Sequence, residues 1–153
     1  MLNIKYCIVK LLASFNYWHI NCLIWAMLIL IISKDPNLID TASSSQETHD
    51  CQIKVFNDSR DPLDIMSTVC LANPTILVID DDFLEPQTSH ILFSIKKIMQ
   101  KLAVIFVTSN SNLELGREVS QLGVYYYALK PLEKDAILDA LKSIINLKSK
   151  IQY

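Results

Sequence analysis

Glycine is nearly missing from this chain of 153 residues: only Gly116 and Gly123 occur. No glycine-rich loop can therefore cradle a phosphate through its backbone N–H groups. Cysteine is sparse as well, and Cys7, Cys22, Cys51 and Cys70 show no CxxC spacing. That leaves neither a zinc site nor a redox motif, and a reduced cytoplasmic chain is the default. His19, His49 and His90 are scattered without metal-ligand spacing. Fourteen basic against sixteen acidic residues give a formal net charge of −2, with no basic cluster beyond Lys142, Lys148 and Lys150. Nothing in that balance favours nucleic-acid binding.

What is present is a rhythm of apolar runs that end in reactive side chains. Thr75-Ile-Leu-Val-Ile runs into Asp80, Ala103-Val-Ile-Phe-Val into Thr108, and Val124-Tyr-Tyr-Tyr-Ala-Leu into Lys130. Continuous runs, unlike alternating ones, suit strands buried on both faces, as in a parallel sheet between helix layers. Helical spacing fills the gaps. Ile91, Leu92, Ile95, Ile98, Met99 and Leu102 form one stripe, and Leu115, Val119 and Leu122 another. Ser111-Asn-Leu-Glu114 has the form of a capping box, and Gly123 stands where a helix stop belongs. After Lys130, Pro131 is expected to open a helix striped by Ile137, Leu138, Leu141, Ile144 and Ile145. In an open parallel sheet, chemistry sits outside the carboxyl ends of the strands. The acid, the hydroxyl and the amine are thus expected at one edge, as a phosphoryl site.

The same rhythm runs upstream. Met27–Ile32 reads as a strand, and Asp35-Pro36 as the cap and first residue of a thin helix to about His49. Gln52–Phe56 alternates like a strand near the sheet edge, and Asp61-Pro62 repeats the cap signal before Leu63, Ile65, Met66, Val69 and Cys70. Five strands and five helices fit residues 27–148, a doubly wound α/β domain with chain enough for a real core. Residues 149–153 are a tail. Residues 1–26 are an apolar extension outside the pattern. Residues 11–33 carry no formal charge after Lys5 and Lys10, so membrane association through residues 11–32 is the alternative to a cytoplasmic location. Because 27–32 is claimed by the first strand, a packed helix or an early start codon also fits.

Taken together, these positions resemble the receiver domains of two-component response regulators. The resemblance covers about 27–148 and implies a flavodoxin-like (CheY-like) three-layer sandwich with a five-stranded parallel sheet. It makes Asp80 the phosphoacceptor, Thr108 the hydroxyl that binds a phosphoryl oxygen, and Lys130, followed by Pro131, the fixed positive charge. Tyr127, three residues earlier, becomes the switch aromatic. The partners implied are a histidine kinase or phosphotransfer protein upstream and a protein docking on about 112–148 downstream. With so few residues after the last helix, a stand-alone module acting by contact is expected. A carboxylate attacking a phosphorylated histidine forms an acyl phosphate, and the moving charge must be met by cations and hydrogen-bond donors. As Thr108 binds that charge, the following loop is drawn inward and leaves space for Tyr127.

One stretch departs from the family. Receivers end the first strand with an acidic pair that holds magnesium, and here the stretch is Ser33-Lys34-Asp35. Magnesium wants carboxylate and water oxygens, and an ammonium in place of a carboxylate swings the local charge by two units, each unit pair worth about 4 kcal/mol at about 4 Å and an effective dielectric near 20. Three outcomes are open: Asp35 joins Asp80 as a metal ligand, the site works without metal, or Lys34 pairs with Asp80 in a pseudo-receiver. Asp80-Asp81-Asp82 offers three acceptors. The count from Pro74 and the stripe at Ile91 favour Asp80, whereas Pro86 favours Asp82; strand alternation would turn Asp81 away from the other two. A second class fits part of this evidence. The Asp80 and Thr108 runs also look like the first motifs of haloacid-dehalogenase-type phosphohydrolases, with Asp80 as nucleophile, Asp82 as general acid and Lys130 as their lysine. Those enzymes need a later acidic pair, for which only Glu133, Asp135 and Asp139 are available.

Overall fold

A computed structural model describes residues 27–44 and 51–151. The expectations for the N-terminal extension, the stretch before Cys51 and residues 152–153 lie outside the described residues, whereas residues 149–151 continue the last helix rather than forming part of a tail. Among those described, no helix is long and apolar enough to cross a membrane.

Among the described residues, five strands form one sheet: β1 (Met27–Ile32), β2 (Cys51–Phe56), β3 (Ile76–Asp80), β4 (Ala103–Thr108) and β5 (Tyr126–Leu129). All pairs are parallel and the order is β2-β1-β3-β4-β5. This is the doubly wound, flavodoxin-like order, with its chemistry expected where the winding direction reverses. The helices are α1 (Pro36–Ser43), α2 (Pro62–Ala72), a single turn α3 (Asp81–Leu84), α4 (Thr88–Ile98), α5 (Leu113–Gln121) and α6 (Lys134–Ile151).

Alternation along the central strands builds two cores. Leu30, Ile32, Leu77, Ile79, Val104 and Phe106 meet Ile65 and Val69 of α2, Leu92 and Ile95 of α4 and Val119 of α5. Ile29, Ile31, Ile76, Val78, Ile105 and Val107 meet Leu38 and Ala42 of α1 and Ile137, Leu141 and Ile144 of α6. Both faces of β1, β3 and β4 are thus covered, which explains why their runs are unbroken. Each fully buried leucine or isoleucine contributes about 2 kcal/mol over its exposed state. At the sheet edge β2 keeps Gln52, Lys54 and Val55 exposed, in line with its alternating sequence.

The aspartate caps form as expected. Asp35 Oδ1 accepts from Asn37 N–H at 2.9 Å, and Asp61 Oδ1 accepts from Leu63 N–H at 2.8 Å and Asp64 N–H at 3.3 Å. Asp61→Ala should therefore destabilise the domain by about 1 kcal/mol in urea unfolding. An effect below a few tenths would mean that the cap is idle. Gly123, at φ +70°, closes α5 in the left-handed conformation that glycine tolerates best.

Several local expectations are corrected. Asn112, rather than Ser111, caps α5, its side chain accepting from Glu114 N–H at 2.9 Å. Pro131 does not open α6: residues 131–133 turn the chain from the sheet edge back over its face, and the helix begins at Lys134. β5 starts at Tyr126, leaving Tyr125 exposed with its hydroxyl 2.8 Å from Ser143 Oγ. The turn α3 was not expected at all, although two acids in a first turn suit a helix N-terminus.

Candidate functional site

Three strand ends meet at the carboxyl edge. Asp80 is the last residue of β3 and only 2% exposed. In register it lies beside Val107, so Thr108 ends β4 one step further along the same edge. Lys130 follows β5, anchored by its backbone N–H to the Thr108 carbonyl at 2.8 Å. The acid, the hydroxyl and the amine are therefore neighbours despite their distance in sequence.

Lys130 is the hub. Its Nζ lies 2.9 Å from Asp80 Oδ1, 2.9 Å from Asp82 Oδ2 and 3.3 Å from Asp35 Oδ2. Burial alone would lower the Lys130 pKa, but the hydrogen bonds and charges of Asp80 and Asp82 outweigh it and raise it well above the ordinary lysine range. The second oxygen of Asp80, Oδ2, accepts from Ser33 Oγ at 2.5 Å, and Ser33 Oγ in turn accepts from Asp35 N–H at 2.9 Å. Both oxygens of Asp80 are thereby engaged.

Lys34 does not pair with Asp80, contrary to one of the sequence readings. Its Nζ sits 5.3 Å from the centre of the Phe83 ring, a ring that Arg60 also approaches at 5.2 Å. The pleat explains this: Ser33, one step before Lys34, takes the inward position next to Asp80, so Lys34 points outward and meets the aromatic face.

The other two acids diverge. Asp80 and Asp82 do share a partner in Lys130, but Asp81 does not leave this edge as strand alternation implied. The chain exchanges extended for helical geometry right after Asp80, and Asp81 is buried with its Oδ2 accepting from Thr108 Oγ1 at 2.9 Å. Asp82 Oδ1 accepts from Ser109 N–H at 2.9 Å and Ser109 Oγ at 2.6 Å. Partial burial pushes the Asp82 carboxyl up, yet the Ser109 hydroxyl, the Ser109 N–H and Lys130 together hold it below the usual carboxylate range.

From Thr108 the bonds continue to Tyr127. Asn110 N–H donates to Thr108 Oγ1 at 2.9 Å, and the Tyr127 hydroxyl donates to the Asn110 carbonyl at 3.4 Å. The Tyr127 ring stacks on Phe106 with centroids 5.5 Å apart and planes 12° from parallel. Burial and then the Asp81 charge raise the pKa of its phenol. Sequence reasoning named the three strand-end residues and Tyr127, but not Ser33, Ser109 and Asn110 as partners. The polar pair directly after Thr108 was the available signal. Glu133, Asp135 and Asp139 are exposed before or along α6, away from a strand end of the kind the phosphohydrolase reading needs.

Comparison with known proteins agrees at the level of fold. No family model matches the sequence, and no curated protein matches it. Solved structures do. A response regulator receiver domain protein (CheY-like) from Methanospirillum hungatei JF-1 is 17% identical with a TM-score of 0.67, covering 82% of this chain and 98% of that one. A response regulator receiver domain protein from Clostridium thermocellum is 22% identical at a TM-score of 0.63, with 82% and 98% covered. A response regulator from Thermotoga maritima is 13% identical at 0.65, covering 79% and 98%. This chain has the receiver-domain fold.

Proposed function

We propose that the chain is a receiver-type signalling module that relays by protein contact, and that its acid edge works without a magnesium-dependent phosphoryl cycle at Asp80. The observation that carries this reading is the Lys130 ammonium seated among Asp35, Asp80 and Asp82. In-line attack on a phosphohistidine needs a free carboxylate oxygen and a cation on the phosphoryl oxygens. Asp80 lacks the first: Lys130 takes Oδ1, Ser33 takes Oδ2, and the side chain is 3% exposed. Magnesium needs acids that face an ion and its waters. Ser33 and Lys34 stand at the end of β1 instead, and Asp35 and Asp82 are both turned onto the ammonium. The residues present do not fit a resident magnesium ion.

Output then falls to α5, β5 and α6, within about 112–148. Leu113, Tyr125, Leu129 and Leu147 expose apolar surface on these elements and the entry to β5, which suits a cytoplasmic protein partner. A histidine kinase or phosphotransfer protein is not required for that contact.

Incubation with acetyl phosphate, with and without magnesium, followed by intact mass, tests the reading. The expected result is no added phosphoryl group in either condition. A magnesium-dependent gain of one group that disappears in Asp80→Asn would instead establish Asp80 as a working acceptor.

A further inference from the structure

The ends of β4 and β5 offer four hydrogen-bond donors to whatever anion lies at the acid edge. Three of them end on carboxylates of one helical turn, and the fourth, Lys130, is shared between that turn, Asp80 and Asp35. Thr108 Oγ1 donates to Asp81 Oδ2, Ser109 N–H and Oγ donate to Asp82 Oδ1, and Lys130 Nζ donates to Asp82 Oδ2. A phosphoryl group on Asp80 is a compact anion of about −1.5 to −2 that would need donors of this kind. Asp81 and Asp82 together carry a formal charge of −2 and are adjacent in the chain. Being tethered, they reach the donors without the entropy cost of recruiting an outside group.

We propose that Asp81 and Asp82 act as an internal substitute for a phosphoryl group, holding the β4 end and Tyr127 in one position without phosphorylation. The inference rests on the receiver-type reading and adds the positioning residues that set its output. The path is continuous in the structure. Asp81 fixes the Thr108 hydroxyl, Thr108 Oγ1 accepts the Asn110 N–H, and the Asn110 carbonyl accepts the Tyr127 hydroxyl. Tyr127 then lies between Phe106 and the backbone of α5, where its Cζ and hydroxyl oxygen stand 3.9 Å from the position a Cβ on Gly116 would take. Asp82 holds the next residue of the loop, Ser109, by two bonds. The surface formed by α5 and β5 is thus set by the chain's own acids.

Amide exchange at Ser109 and Asn110 and the ring resonances of Tyr127, read by NMR on the full chain, test the proposal. In the unmodified protein, with no phosphodonor, both amides should be protected, and acetyl phosphate should leave Tyr127 unmoved. Asp82→Ala alters an exposed side chain and should raise Ser109 exchange roughly tenfold or more, the range set by a charge-assisted hydrogen bond. Asp81→Ala should do the same at Asn110 and shift Tyr127. Protection of Val78 in β3, which neither change touches, reports that each variant folds; Thr108→Val, nearly isosteric, replaces Asp81→Ala if the latter does not, with the same effect expected at Asn110. Unprotected loop amides in the parent protein, or protection unchanged in Asp82→Ala, would overturn the proposal. A phosphoryl gain by intact mass with no movement of these signals would refute the metal-free reading above and leave this one standing.

Discussion

Lys130→Met should destabilise the domain by about 3 kcal/mol at neutral pH, the usual cost of removing one partner from a buried ion pair. Asp80 stays buried after the change, with Asp35 and Asp82 beside it and no cation between them. The sign of the pH dependence is the sharper expectation. In the parent protein the Lys130 pKa is raised above its ordinary 10.5. Its contribution is therefore complete at neutral pH and is lost only as pH climbs through the raised value. Lys130 also helps to hold the Asp82 carboxyl below its usual range, a contribution that is complete above the ordinary carboxylate pKa and lost as pH falls through the lowered value. The variant lacks that contribution, so its deficit should be complete at pH 7 and shrink as the two proteins are acidified below about pH 4. Urea midpoints at pH 7 and pH 3 measure this, and a deficit that is constant or grows on acidification would contradict the hub role of Lys130.

Phe106→Ala should cost about 4 kcal/mol, within the range for deleting a fully buried aromatic ring. Phe106 has no exposed surface, sits in the core between the sheet and α2, α4 and α5, and stacks against Tyr127. A single domain has only about 5–15 kcal/mol to lose, so the variant should unfold at much lower denaturant concentration. Phe106→Leu keeps most of the apolar contact and should lose less than half as much, the remainder including the ring pair, worth about 1 kcal/mol. Equal losses in the two variants would show that packing volume at this point is immaterial. Tyr127 resonances in Phe106→Leu would report whether the position of the Tyr127 ring depends on its stacking partner.

The fold was legible because it follows from periodicity. Ile29–Ile32, Ile76–Ile79 and Val104–Val107 are fully buried runs, and a run with no polar alternation has to be covered on both faces. The intervening stripes supply the covering helices, and Asp35 and Asp61 mark two of their starts through short-range bonds. Strand ends could be read for the same reason: where an apolar run meets Asp80, Thr108 or Lys130, a parallel sheet leaves them at a common edge. Misreadings fell where neighbouring chemistries were equivalent. Ser111 and Asn112 are both good caps, and only the path of the loop from β4 decides that Asn112 meets Glu114 N–H.

The identities of Asp80, Thr108, Lys130 and Tyr127 as residues of the acid edge and its neighbourhood were thus determined by the order of residues alone. Who binds whom was decided only by the tertiary structure. Three adjacent aspartates are indistinguishable in a sequence, but the change from strand to helix after Asp80 gives each a different direction. One meets Ser33 and Lys130, one Thr108, and one Ser109 and Lys130. Those partners come from three other strand ends. Hydrogen bonding depends on distances of a few tenths of an ångström, which the sheet register and the turn of α3 fix and no local pattern encodes.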